Sequence, residues 1–430
     1  MYSVRTSLAI VWSILLFCAF FSCSESPVTP SKESVVEAIV GQEKQAEEFT
    51  EKTHEPPKPE SPDPTEKKNP IQDASVPEEP FQEGHLGEPE PGLPERPSFR
   101  PISAPARKWT WVDVPESRCG FGKATGFALN PNPGATRLYI YFQGGGGCWK
   151  HTGAVGNCFS LVPTAVNLGG FTKTTFQIDP ITRQNLASFT MNRRTLSNVL
   201  RDAQYVFIPY CTGDVFSGTT SVKYPNGRTM YYYGHKNVQA FLDRILPTFP
   251  KVKQVILAGS SAGGYGAAIN WWYVQRRFGD KVRVDLLSDS APTIEPKEGR
   301  WQEWQKAWKT ILPLGCTDCH KGIGNLLEYY SKTLLAKGHR AGILSFDRDS
   351  IIRTFFGISD LTGSLFKKRL TGLLDYLDKK KNVKYFVLEG SSHTMLLLAP
   401  TLLVNKKGIP LEKWLRWMVT DDPAWQNYRR

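Results

Sequence analysis

The stretch Val255-Ile256-Leu257-Ala258-Gly259-Ser260-Ser261-Ala262-Gly263-Gly264-Tyr265-Gly266-Ala267-Ala268 passes from an apolar run into paired serines and closely spaced glycines. The apolar run reads as a buried strand, and the small residues after it as a helix packed tightly on that strand. Gly259-Ser260-Ser261-Ala262-Gly263 fits the pattern G-x-S-x-G with Ser261 at its centre. The pattern works as a nucleophile elbow only between a strand and a helix, which is its setting here. Ser261 then stands at the strand's end, and the N–H of Ala262, at the helix start, points where an oxyanion would form. A turn that merely packs helix on strand would look the same locally, so other residues must supply a base and an acid.

The rest of the folded part repeats this alternation. Short apolar runs at Arg137–Phe142, Gln204–Pro209, Gln254–Ala258, Val282–Leu287, Gly342–Phe346 and Lys384–Leu388 read as strands. Helical patterns lie between most of them, at Asn237–Leu246, Ala262–Phe278, Trp301–Ile311, Leu326–Leu335 and Phe366–Lys380. Such alternation predicts a mostly parallel sheet with helices on both faces, with ligands bound beyond the carboxyl ends of the strands.

Two further residues fall at that edge. His393 follows the last strand, and Asp347 directly follows the strand Gly342–Phe346. The order Ser261, Asp347, His393 is that of α/β-hydrolases, so these three are the expected nucleophile, acid and base. Asp349, deeper in the same loop, is the competing acid. A second source of oxyanion donors is Gly144-Gly145-Gly146-Gly147-Cys148-Trp149, which follows the strand Arg137–Phe142. The loop lacks the Lys-Ser/Thr of a phosphate-binding P-loop.

Taken together, these residues resemble the pectin acetylesterase/Notum family of serine carboxylesterases. The resemblance rests on the glycine loop with its Cys148-Trp149, on Pro209-Tyr210-Cys211-Thr212-Gly213-Asp214-Val215-Phe216-Ser217-Gly218, on the serine elbow, on Ser288-Asp289-Ser290 and on Ser345-Phe346-Asp347. It implies an α/β-hydrolase fold with no metal or cofactor, Ser261, Asp347 and His393 as triad, and the N–H groups of Gly145, Gly146 and Ala262 as oxyanion hole. It also implies disulfides pairing Cys119 with Cys211 and Cys148 with Cys158. Gly146 and Gly147 depart from the animal branch, which carries an aromatic residue in this loop. Asp214 and Asp289 match the family and read as structural. Cys316-Thr317-Asp318-Cys319-His320 has the C-x-x-C-H form of a c-type haem attachment site. Family cysteines in this region favour a local Cys316–Cys319 disulfide instead. Trp301, Trp304 and Trp308 recur at helical spacing, a packing or lid stripe with a sugar platform at Trp304 as the alternative.

Outside the catalytic part, residues 1–22 read as a signal peptide, with Cys23 placed for bacterial lipoprotein processing. Residues 23–105, rich in Pro and Glu, read as a disordered tether, and residues 106–430 as the esterase domain. The net charge of +12 conceals an asymmetry. The tether has about 18 acidic and about 8 basic residues, so the domain carries about +21. The expected protein is therefore exported, a membrane-anchored lipoprotein of a bacterial-type branch, with an ordinary cleaved signal and a secreted protein as the alternative. Its expected partner is an acylated and acidic polysaccharide such as acetylated pectin, not nucleic acid. The alternatives are an esterase acting on lipid or protein acyl groups, and a non-catalytic glycan-binding form of the fold.

Overall fold

The computed structural model of the chain describes residues 99–429 apart from 162 and 163. The expected signal segment, the expected lipidation at Cys23 and the expected tether up to residue 98 lie outside the described residues. The folded chain begins with strands β1 (Thr110–Val114), β2 (Thr125–Asn130) and β3 (Arg137–Phe142) and short helices α1 (Lys173–Ile178) and α2 (Pro180–Ala187). After β4 (Gln204–Ile208) comes a hairpin of β5 (Thr220–Lys223) and β6 (Thr229–Tyr232), then α3 (Gly234–Thr248). The central units are β7 (Gln254–Ser260), α4 (Ala262–Phe278), β8 (Arg283–Asp289), α5 (Arg300–Trp308) and α6 (Asn325–Lys332). The chain closes with β9 (Ala341–Phe346), α7 (Ser350–Phe356), α8 (Ser364–Leu377), β10 (Val383–Leu388), α9 (Leu411–Val419) and β11 (Tyr428–Arg429).

Nine strands form one sheet in the order β1-β2-β4-β3-β7-β8-β9-β10-β11. β2 runs antiparallel to both β1 and β4. From β4 to β11 every neighbouring pair is parallel. Side chains alternate between two cores, as a sheet covered on both faces requires. In β3, Leu138, Ile140 and Phe142 enter one core, while Tyr139 and Tyr141 enter the other. No helix among the described residues is long and apolar enough to cross a membrane.

All six strands expected from apolar runs are present. β7 runs on through Gly259 and Ser260, because these residues still pair with Phe142 of β3 and with Ser288 and Asp289 of β8. β1, β2, the hairpin and β11 carry no comparable apolar run. In β2 the reason is Gly126, which reads as a breaker but is needed there, since a Cβ would lie 1.9 Å from the Val112 carbonyl oxygen of β1.

The serine elbow is a strained turn. Ser261 has φ 57° and ψ −125°, a conformation that L-residues rarely adopt. Gly263 lets α4 descend onto the sheet, since a Cβ on it would lie 2.0 Å from the Phe142 carbonyl oxygen. Because that obstacle is strand backbone, Gly263→Ala is expected to destabilise the domain by about 2 kcal/mol or more. A denaturant melt of the variant, with unchanged m-value, would measure it.

Candidate active site

Ser261, at the junction of β7 and α4, is 7% exposed. Its N–H donates to the Asp289 carbonyl at 2.8 Å, which fixes the elbow against the end of β8. The glycine loop lies directly beside it, so that a Cβ on Gly144 would meet the Ser261 Cβ at 3.0 Å. Gly145 and Gly146 have φ of 154° and 78°. The loop is pinned by Val166 N–H to the Gly145 carbonyl and by Gly147 N–H to the Thr164 carbonyl, each at 3.0 Å. Among the described residues the N–H groups of Gly145 and Gly146 meet no acceptor in this arrangement. Ala262 opens α4, where first-turn N–H groups lack intrahelical partners.

His393 lies in the loop after β10, and its Nδ1 is 2.8 Å from Asp349 Oδ2. Asp349 is fully buried; its other oxygen accepts from the N–H groups of Ile351 and Ile352, both at 3.0 Å, capping α7. Three groups therefore hold this carboxylate between helix and imidazole. The histidine's pKa is set by opposing effects. Burial pushes it down, while the charge and hydrogen bond of Asp349 and the charge of Asp289 push it up, and the net result is a raised pKa.

Asp347, the acid expected from the sequence, does not meet His393. Its N–H continues the ladder to Leu388 of β10, and its Oδ1 accepts from Gly390 N–H at 2.9 Å. Its carboxylate is paired with Lys367 at 2.8 Å and with Arg348 at 3.5 Å. The residue nearest the strand end is thus spent on joining two loops. The helix-capping signal in Asp349-Ser350-Ile351-Ile352 was the sequence feature that could have identified the other carboxylate.

Asp289 links the two halves of the site. Its carboxylate accepts from Ser260 Oγ at 2.7 Å and from the N–H groups of Met395 and Leu396 at 2.8 and 3.0 Å. Ser290 Oγ accepts from Thr394 N–H at 2.8 Å. The end of β8 thereby joins the serine elbow to the histidine loop. Asp289 is fully buried, and burial raises its pKa against the bonds that lower it. Asp214 sits elsewhere. It gathers Thr212 Oγ1 at 2.6 Å and Gly234 N–H at 2.7 Å, folding the loop that brings Val215 to the site. Burial pushes its pKa up to about 6.

A cavity opens beside Ser261 and Ala262, walled by Trp149, Trp304, Trp308, Phe355 and Phe356. It offers about 40 Å³, room for a few water-sized groups. Trp304 stacks on Trp308 at 5.6 Å and stands edge-on to Trp149 at 5.5 Å. At 6% exposure Trp304 is a cavity wall and not an external sugar platform. A Cβ on Gly146 would lie 2.1 Å from the Thr164 carbonyl oxygen and 3.2 Å from the Phe355 ring, so no aromatic side chain fits at this loop position. Phe355 of α7 supplies that wall instead.

Among the described residues the cysteines form three disulfides, Cys119–Cys211, Cys148–Cys158 and Cys316–Cys319. The last uses both sulfurs of the C-x-x-C-H motif, and His320 faces Gln305 at 2.9 Å, so no haem is attached through this pair. Among the described residues no group of three or more His, Cys, Asp or Glu is placed to hold a metal ion.

The sheet order and the serine turn at the end of β7 make this domain an α/β-hydrolase. The Pectinacetylesterase family model matches residues 108–318, which include the glycine loop and Ser261 but not Asp349 or His393. A palmitoleoyl-protein carboxylesterase, notum2 of Xenopus laevis, is 28% identical over 221 residues, 46% of this chain and 42% of that protein. Pectin acetylesterase 5 of Arabidopsis thaliana is 26% identical over 204 residues, 44% of either chain. A solved structure of the Wnt deacylase Notum from Drosophila superposes with a TM-score of 0.56 at 17% identity, over 75% of this chain and 96% of that one. These matches support the pectinacetylesterase family inferred from the motifs. The chain spans less than half the length of these curated relatives.

Proposed function

We propose that this chain is an exported serine carboxylesterase that removes short acyl groups, O-acetyl above all, from a polysaccharide. Ser261 Oγ attacks the ester carbonyl. With Nδ1 of His393 bonded to Asp349, Nε2 is the nitrogen left to take the serine proton and then pass it to the leaving alcohol. Asp349 holds the imidazole and stabilises its cation. The N–H groups of Gly145, Gly146 and Ala262 receive the oxyanion. Water, activated by the same histidine, releases the acid and restores Ser261.

The observation that carries the short-acyl reading is the aromatic cavity of about 40 Å³ at Ser261, which is of a size to take an acetyl group and small for a long chain. The relatives' names divide between pectin acetylesterases and palmitoleoyl-protein carboxylesterases, and this volume favours the former. Three disulfides suit an oxidising compartment outside the cytosol. Anchoring of a bacterial lipoprotein through Cys23 belongs to the same reading.

A series of aryl esters from acetyl to hexadecanoyl tests it. kcat/KM is expected to fall about tenfold or more beyond the shortest acyl groups, since overfilling a packed wall costs on the order of 1–3 kcal/mol. Acetate release from acetylated pectin should accompany it. A rate that climbs with chain length would overturn the assignment.

A further inference from the structure

At the hairpin of β5 and β6 and the loops beside it lies a group of residues with no part in the reaction above. The rings of Phe121 and Phe159 stack at 5.7 Å with 10° between their planes. Arg228, exposed at the hairpin turn, places its guanidinium 4.5 Å from the centre of each ring. Tyr224 stands edge-on to Phe159 at 5.3 Å, and its N–H donates to the Arg228 carbonyl at 2.9 Å. This ledge grows out of the active-site wall. The disulfide Cys148–Cys158 closes a loop with the cavity residue Trp149 at one end and leads into Phe159 at the other. The N–H of Tyr231 donates to the Gly120 carbonyl at 2.8 Å, joining the hairpin to Phe121.

The segments of this region carry bases and no acid of their own, and Glu303 of α5 reaches one of those bases, Lys150, at 3.4 Å. Neither residues 117–178 nor residues 215–242, which together build the ledge, contain an Asp or Glu. Some arginines of the domain are matched with carboxylates, as Arg244 is with Glu116, Arg277 with Asp243, and Arg283 with Asp285 and Asp421. Arg228 has no carboxylate in ion-pair range among the described residues. Lys123 and Lys223 are exposed on the same segments. Flat aromatic rings offer a surface to the apolar face of a sugar, and a guanidinium held on them keeps its N–H edge free for a bidentate carboxylate.

We propose that Phe121, Phe159, Tyr224 and Arg228 form a docking ledge for a polysaccharide bearing ring carboxylates, holding the polymer while an ester on it enters the cavity. The choice of a glycan rests on the esterase reading, since the acyl group to be cleaved must be carried on the chain that the ledge holds. Arg228 pairs with a carboxylate of the polymer, and the rings carry the sugar beside it.

The test uses the full chain and polygalacturonate free of acyl groups, with binding measured by titration and by retardation in a polysaccharide gel. Arg228→Gln is expected to weaken binding about tenfold or more, the loss of a charged hydrogen-bonded contact. Arg228→Lys should restore part of it, and added salt should weaken the parent chain towards the variant. Turnover of a small aryl acetate should stay within about twofold, because the exposed side chain lies outside the reaction. Equal retention of the parent and Arg228→Gln chains would overturn the proposal. So would equally tight binding of neutral xylan, or binding of single-stranded DNA with the same dependence on Arg228. The probe carries no ester, so an inactive enzyme would still give a readable binding result, and failure of the ledge would leave the esterase reading intact.

Discussion

Ser261→Ala is expected to lower ester turnover by about 10⁶-fold and to leave the melting transition in place. The effect is large because attack and proton transfer operate as one unit, in which loss of the nucleophile removes the covalent route altogether. Stability should hold because the Ser261 hydroxyl bonds to no described residue, while its backbone N–H to the Asp289 carbonyl, at 2.8 Å, survives the substitution. The strained backbone at φ 57° also remains, so the variant keeps the elbow without its chemistry. Steady-state kinetics on an aryl acetate, with labelling by a fluorophosphonate, make the comparison. Undiminished turnover in the variant would remove Ser261 as nucleophile and with it the esterase mechanism.

Asp349→Asn is expected to lower kcat by about 10⁴-fold, since an amide cannot hold the imidazole in the required tautomer or stabilise its cation. Asparagine is itself a good helix cap, so the start of α7 should persist and the loss should not reflect unfolding. Asp347→Asn is the matched control. Its ion pairs with Lys367 and Arg348 are partly exposed, at 47% and 39% for the two cations, and the change should cost less than about tenfold. The pH profile separates the two further. His393 must be neutral to act as base, so activity rises with pH through its pKa, which stands above the ordinary 6.5. Removing the Asp349 charge leaves burial as the largest influence, and the acid limb should move to lower pH. A greater loss in Asp347→Asn than in Asp349→Asn would return the acid role to Asp347.

The elbow was legible because its requirements are local. A serine nucleophile at the end of a strand needs glycines on either side, and Gly259 and Gly263 have no room for a Cβ, which would sit within 2.2 and 2.0 Å of backbone carbonyl oxygens. The parallel strands announced themselves as apolar runs, since both faces of a covered sheet are buried. The histidine could be placed as well, because strand ends in such a sheet converge on one edge.

Which aspartate meets that histidine was not local. Asp347 and Asp349 stand two residues apart on one loop, and the decision came from how the loop turns. Continued pairing with β10 points Asp347 at Gly390, and the start of α7 then holds Asp349 towards His393. The size of the cavity was equally hidden. Trp149, Trp304, Phe355 and Phe356 come from three separate segments, and only their packing against Ser261 reduces the space to about 40 Å³. The chain by itself thus determined the sheet, the elbow and the placing of Ser261 and His393 at strand ends, because each follows from the conformation of a few consecutive residues. The carboxylate that meets His393, the cavity at Ser261 and the aromatic ledge were decided by tertiary structure, because each depends on the angle at which distant segments meet.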